Sequence, residues 1–171
     1  MTGQLRMEPL GLDLALPEEP IAPATPSLII SVHGQPIPQG SMRAFKNKHS
    51  GRVIVTADNA RTKPWKAAIT DKAADVVAAA GMPNPAYGRE PVRIAVTFRM
   101  PRPKGHYGAK GLLPSAPRHP TTIPDLDKLV RAVLDALTGI VYRDDAQVVA
   151  LETYKRYADE LVTTIEVGLA R

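Results

Sequence analysis

The chain has 171 residues, 44% of them hydrophobic and 23% charged, which suits one domain with a packed core. Its net charge of +5 and pI of about 9.6 fit polyanionic partners or simple solubility, and say nothing of fold. There is no cysteine, which excludes a disulfide framework, zinc–thiolate sites and a cysteine nucleophile. No apolar run approaches the roughly 18 residues that span a bilayer. The first residues carry acids and prolines where a secretory signal needs a basic start and an apolar stretch. The expectation is a soluble cytoplasmic protein with no membrane partner.

Residues 1–26 read as a disordered, proline-rich tail, with the domain proper expected over 27–171. The tail carries Glu8, Asp13, Glu18 and Glu19 against Arg6, so the remainder of the chain stands at +8, three above the whole. Leu28 to Val32 reads as a strand ended by Gly34 and Pro36. A second short strand, Arg52 to Thr56, is expected after a loop. From Lys63 to Ala80 the spacing of Trp65, Ala68, Ile69, Ala73, Val76, Val77 and Ala80 predicts a helix, stopped by Gly81 and Pro83. Val92 to Met100 alternates, with Val92, Ile94, Val96 and Phe98 on one face and Arg93, Ala95, Thr97 and Arg99 on the other. That pattern predicts a half-buried strand with basic residues on its open side. Residues 101–124 read as one long loop.

Two segments contain bases and no acid. One is 27–57, with Arg43, Lys46, Lys48 and Arg52. The other is the long loop, with Arg102, Lys104, Lys110 and Arg118. Both read either as solvated basic surface or as phosphate-binding segments. No proline follows Pro124, so the last 47 residues should hold the most regular structure.

Leu126, Leu129, Val130, Val133, Leu134 and Leu137 form one apolar stripe of an amphipathic helix, framed by Pro124 and Gly139. Gln147 to Lys155 and Leu161 to Val167 read as the closing strands, with Val149 and Leu151 of the first facing one way. Asp125 and Asp127 fall at the helix start, where free backbone donors favour negative charge. One of them could be an ordinary cap, which leaves the other over. Asp144-Asp145 reads as a polar turn, or as acids returned toward the helix. Converging carboxylates repel and raise one another's pKa unless a cation joins them. A hard divalent ion does that and supports phosphodiester hydrolysis. Arg131 and Asp135 follow Asp127 at steps of four. They read as an ion-pair ladder or as a cation beside the acids, with Lys128 and Lys155 further basic candidates.

Pro124-Asp125-Leu126-Asp127, then Leu134-Asp135-Ala136-Leu137, then Asp144-Asp145-Ala146-Gln147-Val148 and Lys155 together resemble the RusA family of Holliday-junction resolvases. Gly34 to Gly40 and Lys63-Pro64-Trp65 extend the resemblance over roughly 27–168. It implies an α/β (α+β) domain, a small mixed sheet with two main helices, that acts as a homodimer on branched DNA. It also implies metal-binding acids at Asp125, Asp127 and Asp145, with Mg²⁺ or Mn²⁺ as cofactor, and a basic helix residue at Arg131. Two departures stand out: Lys128 replaces a common Asn, and Ser41-Met42-Arg43 keeps one arginine of an Arg-x-Arg. Arginine stays protonated, so Arg131 suits an electrostatic role and not that of a base. The candidate DNA contacts are Arg43, Lys46, Lys48, Arg102, Lys104, Lys110, Arg118, Lys128 and Lys155. The alternatives are a nuclease preferring forks or flaps, a non-catalytic branched-DNA-binding protein, and an Asp-x-Asp metal enzyme unconnected with DNA.

Overall fold

A computed structural model describes residues 27–40, 42–46, 51, 53–57 and 60–170; for 42–46 and 53–57 it describes the backbone alone. The expected acidic tail, Arg52 and Lys48 therefore lie outside the described residues, as do the side chains of Arg43 and Lys46.

Alternating apolar residues build the central sheet. Strand β1 (Leu28–His33) pairs antiparallel with β8 (Val162–Leu169), and β8 pairs antiparallel with β4 (Val92–Met100). β4 then pairs in parallel with β7 (Val148–Tyr157), giving the order β1-β8-β4-β7. The sheet is thus mixed, as expected. Along β4, Val92, Ile94, Val96, Phe98 and Met100 are buried, while Arg93, Ala95, Thr97 and Arg99 are half-buried on the opposite face.

A parallel pair cannot be joined by a tight turn, so the chain must cross over between β4 and β7. Helix α2 (Leu126–Leu137) makes that crossing. Its whole predicted stripe lies inward, with Leu129, Val133 and Leu137 fully buried. Ala132 and Ala136 are buried as well, which the stripe alone did not require. The reason is a second neighbour: helix α1 (Thr62–Ala79) packs against α2 as well as β1. α1 buries Thr62, Trp65, Ile69, Ala73 and Val77, one face at helical spacing. Polar pins fix its position. Thr62 Oγ1 donates to the Pro38 carbonyl at 2.8 Å, and Thr70 Oγ1 donates to the Ala136 carbonyl at 2.8 Å, near the end of α2.

Three details differ from expectation. The segment before the second strand holds a strand of its own, β2 (Met42–Lys46), paired antiparallel with β3 (Val53–Ala57) as a separate ribbon. The 101–124 segment is not structureless. It contains a 3₁₀ turn at Lys104–His106 and a small hairpin of β5 (Tyr107–Gly108) and β6 (Gly111–Leu112), turned through Ala109 and Lys110 into Gly111 with φ +108°. Two-residue strands carry no periodicity to read. Finally, the β4–β7 register advances two residues on β7 for one on β4, making Val149 the extra residue of a bulge. Leu151 then sits opposite Ile94, on the helix side of the sheet, yet remains 44% exposed because β7 is an edge.

Phe98→Ala, which empties a fully buried ring position, is expected to cost about 3–5 kcal/mol in urea unfolding. Ile29→Thr, on the open face of the edge strand, should stay within about 0.5 kcal/mol in the same titration.

Candidate active site

The sequence places five aspartates along α2 and the turn that follows it, and the structure divides them sharply. Asp135 lies on the α1 side of α2. Its Oδ2 accepts from Lys66 Nζ at 2.9 Å and from Gln39 Nε2 at 3.1 Å. That carboxylate ties α2 to α1 and to the segment after β1. Asp144 caps the 3₁₀ turn at Asp145–Gln147, its Oδ1 accepting from the Ala146 amide at 2.9 Å. Gln147 Oε1 accepts in turn from the Arg143 and Asp144 amides, completing a capping box. Asp125 occupies the N-cap position of α2 but its side chain caps nothing. Instead Oδ2 pairs with Lys128 Nζ at 2.9 Å. The Lys128 ammonium beside Asp125 holds its carboxyl below the usual carboxylate range, and Lys155 adds a smaller push in the same direction.

Asp127 and Asp145 remain. Both are exposed, and neither makes a hydrogen bond or ion pair among the described residues. They line one groove of about 530 Å³ between α2 and β7, together with Leu126, Val130, Arg131, Leu134, Asp135, Leu151 and Thr153. Arg131 is likewise exposed and without a partner among the described residues. Of the two readings of these residues, the ion-pair ladder does not form among the described residues, and Asp135 is taken instead by Lys66 and Gln39. A guanidinium and two carboxylates without partners among the described residues share the groove.

Local chemistry explains how Asp145 returns to the helix. α2 ends at Thr138, and Gly139 takes the left-handed conformation (φ +83°) that reverses the chain. Tyr142 then buries its ring completely and donates its hydroxyl to the Leu134 carbonyl at 2.9 Å. Burial pushes this phenol well above its usual range, and the nearby Asp145 and Asp135 charges push it further the same way. Tyr142 thus acts as a neutral anchor, and Asp145 follows it three residues later beside the groove.

Asp125 faces elsewhere. With Lys128 it lines a neighbouring cleft of about 330 Å³ formed with Gln35 to Pro38, Arg61, Ile123 and Pro124. Among the described residues no three His, Cys, Asp or Glu side chains are grouped closely enough to hold a metal ion. The three expected metal acids are therefore divided two and one. Oxygen-only donors suit a hard divalent cation, which needs only one or two carboxylates and otherwise keeps water or phosphate. Asp127 and Asp145 fit that requirement.

The basic candidates also divide. Lys155 Nζ donates to the carbonyls of Thr122 at 2.7 Å and Pro124 at 2.9 Å, clamping the segment that leads into Asp125. Arg102 stacks over Tyr157 at 4.3 Å and donates to the Pro117 carbonyl at 2.9 Å, so it shapes its own loop. Lys104, Lys110 and Arg118 are exposed and unpartnered among the described residues. The partners that sort these groups, Lys66, Gln39 and Tyr142, carried no signal in the sequence; Lys66 and Gln39 stand 69 and 96 residues from Asp135.

A family model described as "Endodeoxyribonuclease RusA" matches residues 33–168. A protein of Bacillus subtilis (strain 168), described as "Uncharacterized protein YqaN", is 33% identical over 133 residues, covering 76% of this chain and 87% of its own length.

Chemical denaturation should separate the structural groups from the free ones. Asp144→Ala is expected to cost about 1 kcal/mol through its lost cap, and Lys155→Met about 1–2 kcal/mol through two charged hydrogen bonds. Asp127→Asn and Asp145→Asn should each stay within about 0.5 kcal/mol of the parent.

Proposed function

Because the chain belongs to the endodeoxyribonuclease RusA family, we propose that it resolves four-way DNA junctions by paired nicks that require a divalent metal ion. The observation that carries this reading is the groove between α2 and β7, where Asp127, Asp145 and Arg131 stand together without protein partners among the described residues. Unpaired carboxylates lining one groove with an unpaired guanidinium have no evident structural use, and their chemistry matches a metal ion with a phosphodiester beside it.

Asp127 and Asp145 are the proposed ligands of Mg²⁺, or of Mn²⁺, with Asp125 as the third. Such an ion, when bound, polarises the phosphate and the attacking water. Arg131 contacts the scissile phosphate and offsets the charge that grows on it during attack; always protonated, it takes no part in proton transfer. Lys155 keeps the approach to Asp125 in place by holding two backbone carbonyls. Leu126, Val130 and Leu134 form the apolar side of the groove.

Substrate binding falls to the loop between β4 and α2. Lys104, Lys110 and Arg118 are exposed there, while the Arg102–Tyr157 stack fixes the loop's base. Binding of phosphate through such side chains selects shape and charge over sequence. A homodimer follows from the substrate's geometry: two symmetric nicks call for two sites related by a two-fold axis.

The test is incubation with a synthetic four-way junction, a fork and linear duplex, each with Mg²⁺, Mn²⁺ or EDTA. Preferential nicking of the junction in metal is expected. Fork preference would favour a replication-fork nuclease, and binding without nicking in any metal would favour an architectural protein. Asp127→Asn and Asp145→Asn should each abolish cleavage while leaving junction affinity within a few-fold; retained cutting would falsify the metal-site assignment. Neutralising Lys104, Lys110 and Arg118 together should weaken junction binding. It should also flatten the salt dependence by up to about 0.9 log unit for each phosphate that is no longer neutralised. An unchanged slope would remove the loop from the binding surface.

A further inference from the structure

We propose that Lys128 is a tethered cation occupying the place of a metal ion at the start of α2, and that a divalent ion must displace it to engage Asp125. The inference rests on the reading of Asp125, Asp127 and Asp145 as metal ligands, and it adds a residue that sets how much metal the site demands. It makes the two-and-one division of the acids a resting arrangement, with Asp125 held back by its own counter-ion.

Three observations support it. Lys128 Nζ lies 2.9 Å from Asp125 Oδ2, so the ammonium stands directly on the carboxylate oxygen it would have to yield. The backbone of Lys128 is pinned, since Gln39 donates its amide to the Lys128 carbonyl at 2.9 Å. Only the flexible side-chain arm has to move for the ammonium to leave. Both partners are also about half exposed, Lys128 at 42% and Asp125 at 50%, so water can take over each end when the pair opens. An exposed pair of this kind is held weakly and can be exchanged.

The competition follows from charge and from lone pairs. An ammonium donating to a carboxylate oxygen uses the acceptor direction that a metal ion needs, and two cations a few ångströms apart repel. Without metal, the same ammonium neutralises the Asp125 carboxylate, so it serves the empty site at the expense of the filled one. Lys155 cannot substitute for it, because two of its three donors are committed to Thr122 and Pro124.

The experiment measures metal binding to the full chain without DNA, by calorimetric titration with Mn²⁺. The chains compared are the parent, Lys128→Met, which keeps most of the unbranched arm and loses charge, Lys128→Arg, which keeps charge, and Asp127→Asn as a control. Lys128→Met is expected to bind Mn²⁺ about tenfold more tightly than the parent at low salt, with Lys128→Arg close to the parent. The gap should narrow as salt approaches about 1 M, where the screening length falls to about 3 Å. Thermal unfolding should show a larger Mn²⁺-induced rise in Tm for Lys128→Met than for the parent. Unchanged or weaker Mn²⁺ affinity in Lys128→Met overturns the proposal, as does a gap that salt does not narrow. If the parent binds Mn²⁺ and Asp127→Asn does not, such a result removes Lys128's role alone. If no chain binds Mn²⁺, the metal-ligand reading fails and this inference fails with it.

Discussion

Helix α2 has to bury its apolar face on two neighbours at once, the sheet beneath and α1 beside it. Leu129, Val133 and Leu137 go to zero exposure, and Ala132 and Ala136 are buried with them where α1 packs against α2. Closely packed interiors permit little rotation, so once these residues are seated the polar positions of the helix have assigned directions. Asp135 must meet α1; Asp127 and Arg131 must look along β7; Asp125 and Lys128 must face the cleft by Pro36 and Ile123. The parallel β4–β7 pairing completes the arrangement, since its crossover lays α2 over the sheet and delivers Asp145 to the foot of β7.

Electrostatics then sorts the acids. Five aspartates within about twenty residues cannot all be packed together without counter-charge. Asp135 has a lysine, Asp144 has backbone donors, and Asp125 has Lys128. Asp127 and Asp145 have no partner among the described residues, and neither has Arg131 beside them. Two carboxylates and a guanidinium without partners among the described residues are what remains when every structural need nearby has been met by something else. The fold spends its apolar burial on holding that remainder in place.

The long basic loop obeys the same logic. Proline density announced its irregular backbone, and the absence of acids announced its charge. Its anchoring was hidden: Arg102 turns back onto Tyr157, a residue 55 positions away on another strand, while Lys155 reaches the other end of the loop through backbone carbonyls. Carbonyl oxygens are present at every residue and leave no mark in a sequence, so a lysine that seeks them looks the same as one that seeks phosphate.

Periodicity determined the two helices and the alternating β4, because burial on one face imposes a repeat of 3.6 or 2 that survives in the residue order. The family resemblance, carried by Pro124 to Gln147, pointed to Asp125, Asp127 and Asp145 as one group. The tertiary structure decided what the linear order could not. It paired Asp135 with Lys66 and dissolved the Asp127–Arg131–Asp135 ladder. It made Asp144 a cap and Asp145 free, though they are neighbours, and turned Asp125 toward Lys128. The physical reason is common to all of these. A side chain's charge is written in the sequence, but whether that charge is already satisfied depends on partners brought near only by packing.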